Sequence, residues 1–165
     1  MKSLGIPEGY GAKRGLPLQA EARELIGIGT NPDGREILLT PAAAAAWKRM
    51  RDEAALSGHA LLAISGFRSL ERQAELIRGR LSRGESIDAI LRTVAAPGYS
   101  EHHTGRAVDI GVPGEPPLTE GFALTPAFAW LEAHAHRFGF RMSYPRGNTH
   151  GIAFEPWHWC LETIS

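Results

Sequence analysis

The chain has 165 residues, with 18 basic and 18 acidic side chains balancing to a net charge of zero. That length is one domain's worth with a buried core, and the balanced charge removes the electrostatic case for nucleic acid or an anionic membrane surface as partner. The single Cys160 excludes an internal disulfide and a cysteine-rich metal site, and no apolar run approaches a membrane span.

In chain order, the opening Met1-Lys2-Ser3-Leu4-Gly5-Ile6-Pro7-Glu8 lacks the apolar core of a signal peptide. Apolar runs at residues 24–28 and 36–39 flank Asn31-Pro32-Asp33-Gly34, the pattern of a β-hairpin. Thr40 and Pro41 open a helix through about Leu56, rich in alanine and ended by Gly58. A strand at residues 60–64 leads to Gly66-Phe67-Arg68-Ser69, where Ser69 caps a helix from Leu70. Arg68 thus sits on a strand-to-helix corner, from which a guanidinium can bind a carboxylate or an oxyanion through two parallel hydrogen bonds. A second helix is expected at residues 86–94, a Pro/Gly-rich loop at 113–124, a helix at 127–138 capped by Thr125 and Pro126, and a strand at 140–143. Helices mixed with antiparallel strands read as an α+β single domain, a small sheet flanked by helices. Residues 1–40 form an N-terminal extension carrying the hairpin and packed on the same domain, and residues 41–165 form the core. A monomer is expected.

Two segments carry the chemistry. In the first, Ser100-Glu101-His102-His103-Thr104-Gly105-Arg106-Ala107-Val108-Asp109, residues 105–111 alternate with period two. Val108 and Ile110 enter the core, while Asp109 shares its face with Gly105, Ala107 and Gly111, small residues that leave room for an ion. In the second, Glu155-Pro156-Trp157-His158-Trp159, the proline opens a tight turn or a single helical turn that aims Glu155 and His158 the same way. Each segment alone also fits a plainer description, an exposed loop with a strand-end aspartate or an aromatic cluster around a satisfied histidine. Together, two imidazoles and one carboxylate match the ligand set of a catalytic zinc with an open position, and Glu155 supplies a general base. His103 points apart from His102, towards solvent or behind the ligands. His134 and His136, two apart on a helix, cannot share a face and are surface or packing residues. Phe128 and Trp130 belong to the core, and Cys160 acts as a small buried hydrophobe.

Ser65-Gly66-Phe67-Arg68-Ser69 with Gln73, Pro97-Gly98-Tyr99-Ser100-Glu101-His102-His103-Thr104-Gly105 with Ala107 and Asp109, Tyr144-Pro145, and Glu155-Pro156-Trp157-His158-Trp159 resemble the VanY-type zinc D-alanyl-D-alanine carboxypeptidases. The resemblance implies Zn2+ held by His102, Asp109 and His158, with Glu155 as catalytic base. It also implies Arg68 on the substrate's terminal carboxylate or scissile carbonyl, and Gln73 and Ser100 in substrate binding. The implied substrates are peptidoglycan stem peptides that lose their C-terminal D-Ala. Alternatives on the same site are an L,D-carboxypeptidase or a phage-type L-alanyl-D-glutamate endopeptidase, though the latter more often carries Asp before the last His. A non-catalytic cell-wall binding module has no need of Glu155. The substrate implies periplasm or cell wall, reached by a leader outside this sequence, another export route or release by phage lysis. His150, within Thr149-His150-Gly151, and Cys160-Leu161 depart from the family pattern, and the role of His150 stays open.

Overall fold

The computed structural model describes residues 2–163. Two antiparallel sheets and five α-helices follow one another in the order α1 (Tyr10–Arg14), β1 (Ile26–Thr30), β2 (Glu36–Leu39), α2 (Pro41–Leu56), β3 (Leu62–Ser65), α3 (Leu70–Ser82), α4 (Ile87–Ile90), β4 (Ala107–Gly111), α5 (Pro126–His134), β5 (Phe140–Met142) and β6 (His158–Leu161). The architecture is α+β. β1 and β2 pair as a hairpin, and the main sheet runs β3-β4-β6-β5 with every neighbour antiparallel. No helix among the described residues is long and apolar enough to cross a membrane.

Helix starts follow their capping residues. Thr40 Oγ1 accepts from the Ala43 amide with Pro41 at the first helical position, and Ser69 Oγ accepts from the Arg72 amide at 3.0 Å, each satisfying an otherwise orphaned donor. α2 turns Ala43, Ala46, Trp47, Met50 and Ala54 onto the main sheet, where they join Val108, Ile110, Phe128, Leu131 and Trp159. Burying each large apolar side chain contributes roughly 1.5–3 kcal/mol. Phe128, Trp130 and Cys160 are buried as expected. A second cluster joins Leu4, Tyr10 and Leu16 of the N-terminal segment to Ala74 and Ile77 of α3 and to Ile90, Leu91 and Ile152.

Several expectations are corrected. The strand expected at 60–64 is Leu62–Ser65, and the hairpin strand expected at 24–28 is Ile26–Thr30. The helix expected at 86–94 is one short turn, Ile87–Ile90, after which the chain runs in turns to the first metal segment. Within 113–124, residues Glu120–Leu124 form a 3-10 helix, and the helix expected to reach Phe138 tightens to 3-10 geometry at Ala135–Phe138. His158 is the first residue of a strand. Nor do the glycines near Asp109 leave space for an ion. A Cβ at Gly105, whose φ is 66°, would lie 3.0 Å from Leu25 and 3.1 Å from Thr40, and one at Gly111 would lie 3.0 Å from Ile64. Close packing and a left-handed turn require glycine at 105.

The N-terminal segment lies along the loop that carries the first motif. Gln19 N donates to Gly98 O at 2.7 Å, Ala22 N to His103 O at 2.8 Å, and Thr40 N to Gly105 O at 2.9 Å. His150, on a separate loop, also meets the N-terminal segment, its Nδ1 lying 2.8 Å from the carbonyl of Arg14.

Candidate metal centre and active-site cleft

Asp109 occupies the inner strand β4, directly opposite Ser65 of β3 on one side and His158 of β6 on the other. Period-two alternation sends Val108 and Ile110 into the core and leaves Asp109 on the opposite face, lining a cleft of about 880 Å³. His102 reaches the same point from a 3-10 turn, Glu101–Thr104, capped by Ser100, whose Oγ accepts from the His102 amide at 3.3 Å. Oδ1 of Asp109 lies 3.2 Å from His102 Nε2 and 3.2 Å from His158 Nδ1. One ligand atom from each of the three residues falls within 4.8 Å of the others, and all three residues are buried.

The geometry fits a small divalent cation. Bonds of 2.0–2.1 Å in a tetrahedral arrangement set neighbouring ligand atoms about 3.3 Å apart. The far nitrogen of each imidazole is also engaged. His102 Nδ1 lies 2.7 Å from the carbonyl of Gly66, which can only accept, so Nε2 carries the lone pair. His158 Nε2 lies 3.2 Å from Oε2 of Glu101, which leaves Nδ1 for the ion.

Glu155 stands beside this trio, its Oε2 3.7 Å from His158 Nδ1, at the end of a turn closed by the His158 amide donating to the Glu155 carbonyl. The turn aims both side chains the same way, as the spacing requires. Burial, with the negative charges of Asp109 and Glu101, pushes the Glu155 carboxyl up to about 7 against the pull of His158 and Arg68. A carboxyl poised there can take and return a proton near neutral pH. Burial opposes charge on His158, but its bonds to Asp109 and Glu101 prevail and push it up to about 10. Burial holds His102 below its usual value. Asp109 resists the cost of burial and stays well below the carboxylate range because His102 and His158 flank it.

Arg68 completes the cleft. Its Nη1 donates to Gln73 Oε1 at 3.1 Å and its Nη2 to Ser65 Oγ at 3.2 Å, while its backbone amide donates to the His102 carbonyl. Burial lowers its pKa, partly offset by Asp109 and Glu155. Gln73 is 1% exposed, and its Nε2 donates to Ala95 O at 2.7 Å. Both ends of that amide are therefore held within the protein, its Oε1 by the guanidinium and its Nε2 by the Ala95 carbonyl, while the residue lines the cleft. Ser100 lines the cleft while capping the turn under His102.

The solvent-facing position considered for His103 is overturned. It is fully buried, its Nε2 accepts from the Gly98 amide at 3.1 Å, and its Nδ1 therefore donates to the Arg68 carbonyl at 2.7 Å. The ring ties the backbone of Arg68 to the loop bearing His102. Reading the residues singly also missed Glu101, buried beneath His158, and Tyr144, whose ring centroid lies 5.0 Å from that of His158 and which lines the cleft. The available signal was an acidic residue adjoining a ligand on a tight turn. His134 and His136 lie outside the trio.

The comparisons with known proteins agree on one family. A family model described as D-alanyl-D-alanine carboxypeptidase, VanY, matches residues 36–163. YodJ of Bacillus subtilis (strain 168) is 39% identical over 121 residues, 70% of this chain and 43% of that protein, so the chain spans less than half of this relative's length. The solved LdcB LD-carboxypeptidase superposes with a TM-score of 0.78 at 31% identity, over 88% of this chain and 71% of that one. A mutant of the vancomycin resistance D,D-pentapeptidase VanY, solved in complex with Zn(II), superposes with a TM-score of 0.68 at 27% identity, over 90% of this chain and 83% of that one.

Proposed function

The chain belongs to the VanY family of D-alanyl-D-alanine carboxypeptidases, and from that membership we propose that it is a zinc carboxypeptidase removing the C-terminal D-Ala from peptidoglycan stem peptides. The observation that carries the proposal is the convergence of His102, Asp109 and His158 within 4.8 Å, beside Glu155 and Arg68 in one cleft. When bound, zinc supplies Lewis acidity, which lowers the pKa of water towards about 7 and polarises a carbonyl. Glu155 takes the proton of the attacking water and delivers it to the leaving amine nitrogen. Arg68, pre-aimed by Gln73 and Ser65, pairs with the free terminal carboxylate and so sets the scissile bond one residue from the chain end. Asp109 and the two imidazoles would hold the ion, and a single carboxylate among the three would leave it one net positive charge. A peptidoglycan substrate is met in the periplasm or cell wall, and since one chain supplies every one of these groups, the proposed activity needs no second copy.

The greater likeness to the LD-carboxypeptidase favours a second reading on the same machinery, in which the bond cut joins an L-centre to the terminal D-Ala. Both readings require the free carboxylate, whereas an endopeptidase does not.

Metal analysis tests the proposal. The purified protein is expected to carry about one zinc per chain, to lose hydrolysis to a chelator and to regain it with zinc. His134→Ala and His136→Ala should leave zinc content unchanged, and loss of zinc from either would refute the ligand assignment.

A further inference from the structure

We propose that Glu101 is the positioning residue that fixes His158 as a metal ligand through Nδ1, a role that rests on the zinc reading above. Glu101 is 8% exposed, and a buried carboxylate persists only where donors surround it. Three do. Ser143 Oγ donates to Oε2 at 2.7 Å, His158 Nε2 lies 3.2 Å from the same oxygen, and Arg141 Nη2 reaches Oε1 at 3.4 Å.

The imidazole of His158 therefore bridges two carboxylates, Glu101 at Nε2 and Asp109 at Nδ1. An ionised carboxylate accepts and cannot donate. Both carboxylates accept, so a cation at Nδ1, between Asp109 and His102, requires Nε2 to carry the ring's remaining hydrogen, and Glu101 is the group that accepts it. Loss of Glu101 leaves a buried N–H without a partner and frees the ring to turn about χ2. His102 has no such side chain behind it, because its far nitrogen faces the backbone carbonyl of Gly66. Glu101 is thus the side chain through which ligand orientation at this centre can be tested by substitution. Glu101 and His102 are consecutive on one capped turn, so two adjacent residues supply one ligand and the support of another. The carboxylate orients the ring and, through its charge, strengthens it as a donor to the cation.

Zinc affinity, measured by competition with a chromophoric chelator, separates these effects when combined with the visible spectrum of the cobalt-substituted protein. Glu101→Ala removes both and should weaken zinc binding by about 10–100-fold, with a changed cobalt spectrum. Glu101→Gln keeps an acceptor oxygen for His158 and Ser143, since Arg141 can swing towards solvent. It should keep the wild-type cobalt spectrum while binding zinc less tightly, and it decides the matter should Glu101→Ala not fold. A folded variant of either kind that binds zinc as tightly as wild type overturns the role, even if the metal-free protein melts at a lower temperature. Failure of the wild type to bind zinc overturns the zinc reading and this role with it. Wild-type binding with unaffected variants overturns this role alone.

Discussion

Asp109 and His158 are directly paired residues of adjacent antiparallel strands, and Oδ1 of the first lies 3.2 Å from Nδ1 of the second. The pairing of β4 with β6 therefore closes the gap between two motifs far apart in sequence. A slip of one residue would present Trp159 in place of His158 and bury the imidazole in the core. Trp159 holds the register from the other face, buried beside Phe128 with its Nε1 donating to Pro156 O at 2.9 Å.

Metal binding should release a proton. His158 is pushed up to about 10 between Asp109 and Glu101, so at neutral pH zinc must displace a proton from it. Apparent zinc affinity should rise about tenfold per pH unit below that value and level off above it. Calorimetric titration at pH 7 in buffers of different ionisation enthalpy counts the protons. At least one per zinc is expected, since Glu155 at about 7 also sheds its proton beside a cation, and none would contradict the assignment of Nδ1 as ligand.

Glu155→Ala should retain zinc and lose turnover by roughly 10²–10⁴, the usual contribution of general acid–base catalysis, whereas His158→Ala should lose the metal as well. Single-turnover hydrolysis and metal content, measured on the same samples, distinguish the two.

The same carboxyl governs a stability change. The folded-state value of Glu155, about 7, lies above its ordinary 4.5, so the folded protein favours the neutral form. Its contribution is fully present below 4.5 and is lost as pH rises to about 7. Glu155→Gln should remove that component. In chelator-treated protein, the difference in melting temperature between variant and wild type should move in the variant's favour from pH 4.5 to 8. A constant difference would mean that Glu155 is not buried against negative charge.

Arg68→Lys should impair hydrolysis because one ammonium cannot reproduce the planar fork. An amidated stem peptide leaves that guanidinium without its charged partner, a loss of roughly 1.5–3 kcal/mol, or about 10- to 150-fold in kcat/KM. Equal rates on amidated and free-acid peptides would show that Arg68 does not read the terminus.

His103→Ala strands the Arg68 carbonyl and the Gly98 amide. Thermal unfolding should register a loss of about 1–3 kcal/mol, with kcat/KM falling while zinc content holds. Unchanged stability would place the ring outside the packed loop.

Asp109 and His158 of the metal trio, and Glu155 beside them, were legible because each needs its chemistry at a fixed place: an aspartate on an alternating strand, and a glutamate and a histidine three apart across a proline turn. His102 stands in the loop just before that strand. Helix starts were legible at Thr40, Ser69 and Thr125 because capping is local. His103 and Glu101 were hidden because their partners, the Arg68 carbonyl and the His158 ring, are brought to them only by tertiary folding. The helix expected at 86–94 stopped early because local propensity there yields to the packing of Ile90 and Leu91 under α3. Gly105 looked like open space and proved to be a close approach, a distinction that one sequence does not contain.

The most direct test is mass spectrometry of the products formed from a purified pentapeptide stem ending in D-Ala-D-Ala and, separately, from the tetrapeptide stem ending in one D-Ala, using zinc-loaded wild type and zinc-loaded Glu155→Ala. The wild type should shorten the peptide by one terminal D-Ala and the variant should leave it intact, whereas shortening of the tetrapeptide alone would select the L,D reading. A cut inside the stem, or both stems left whole by the zinc-loaded wild type, would contradict the assignment of this cleft as a carboxypeptidase site.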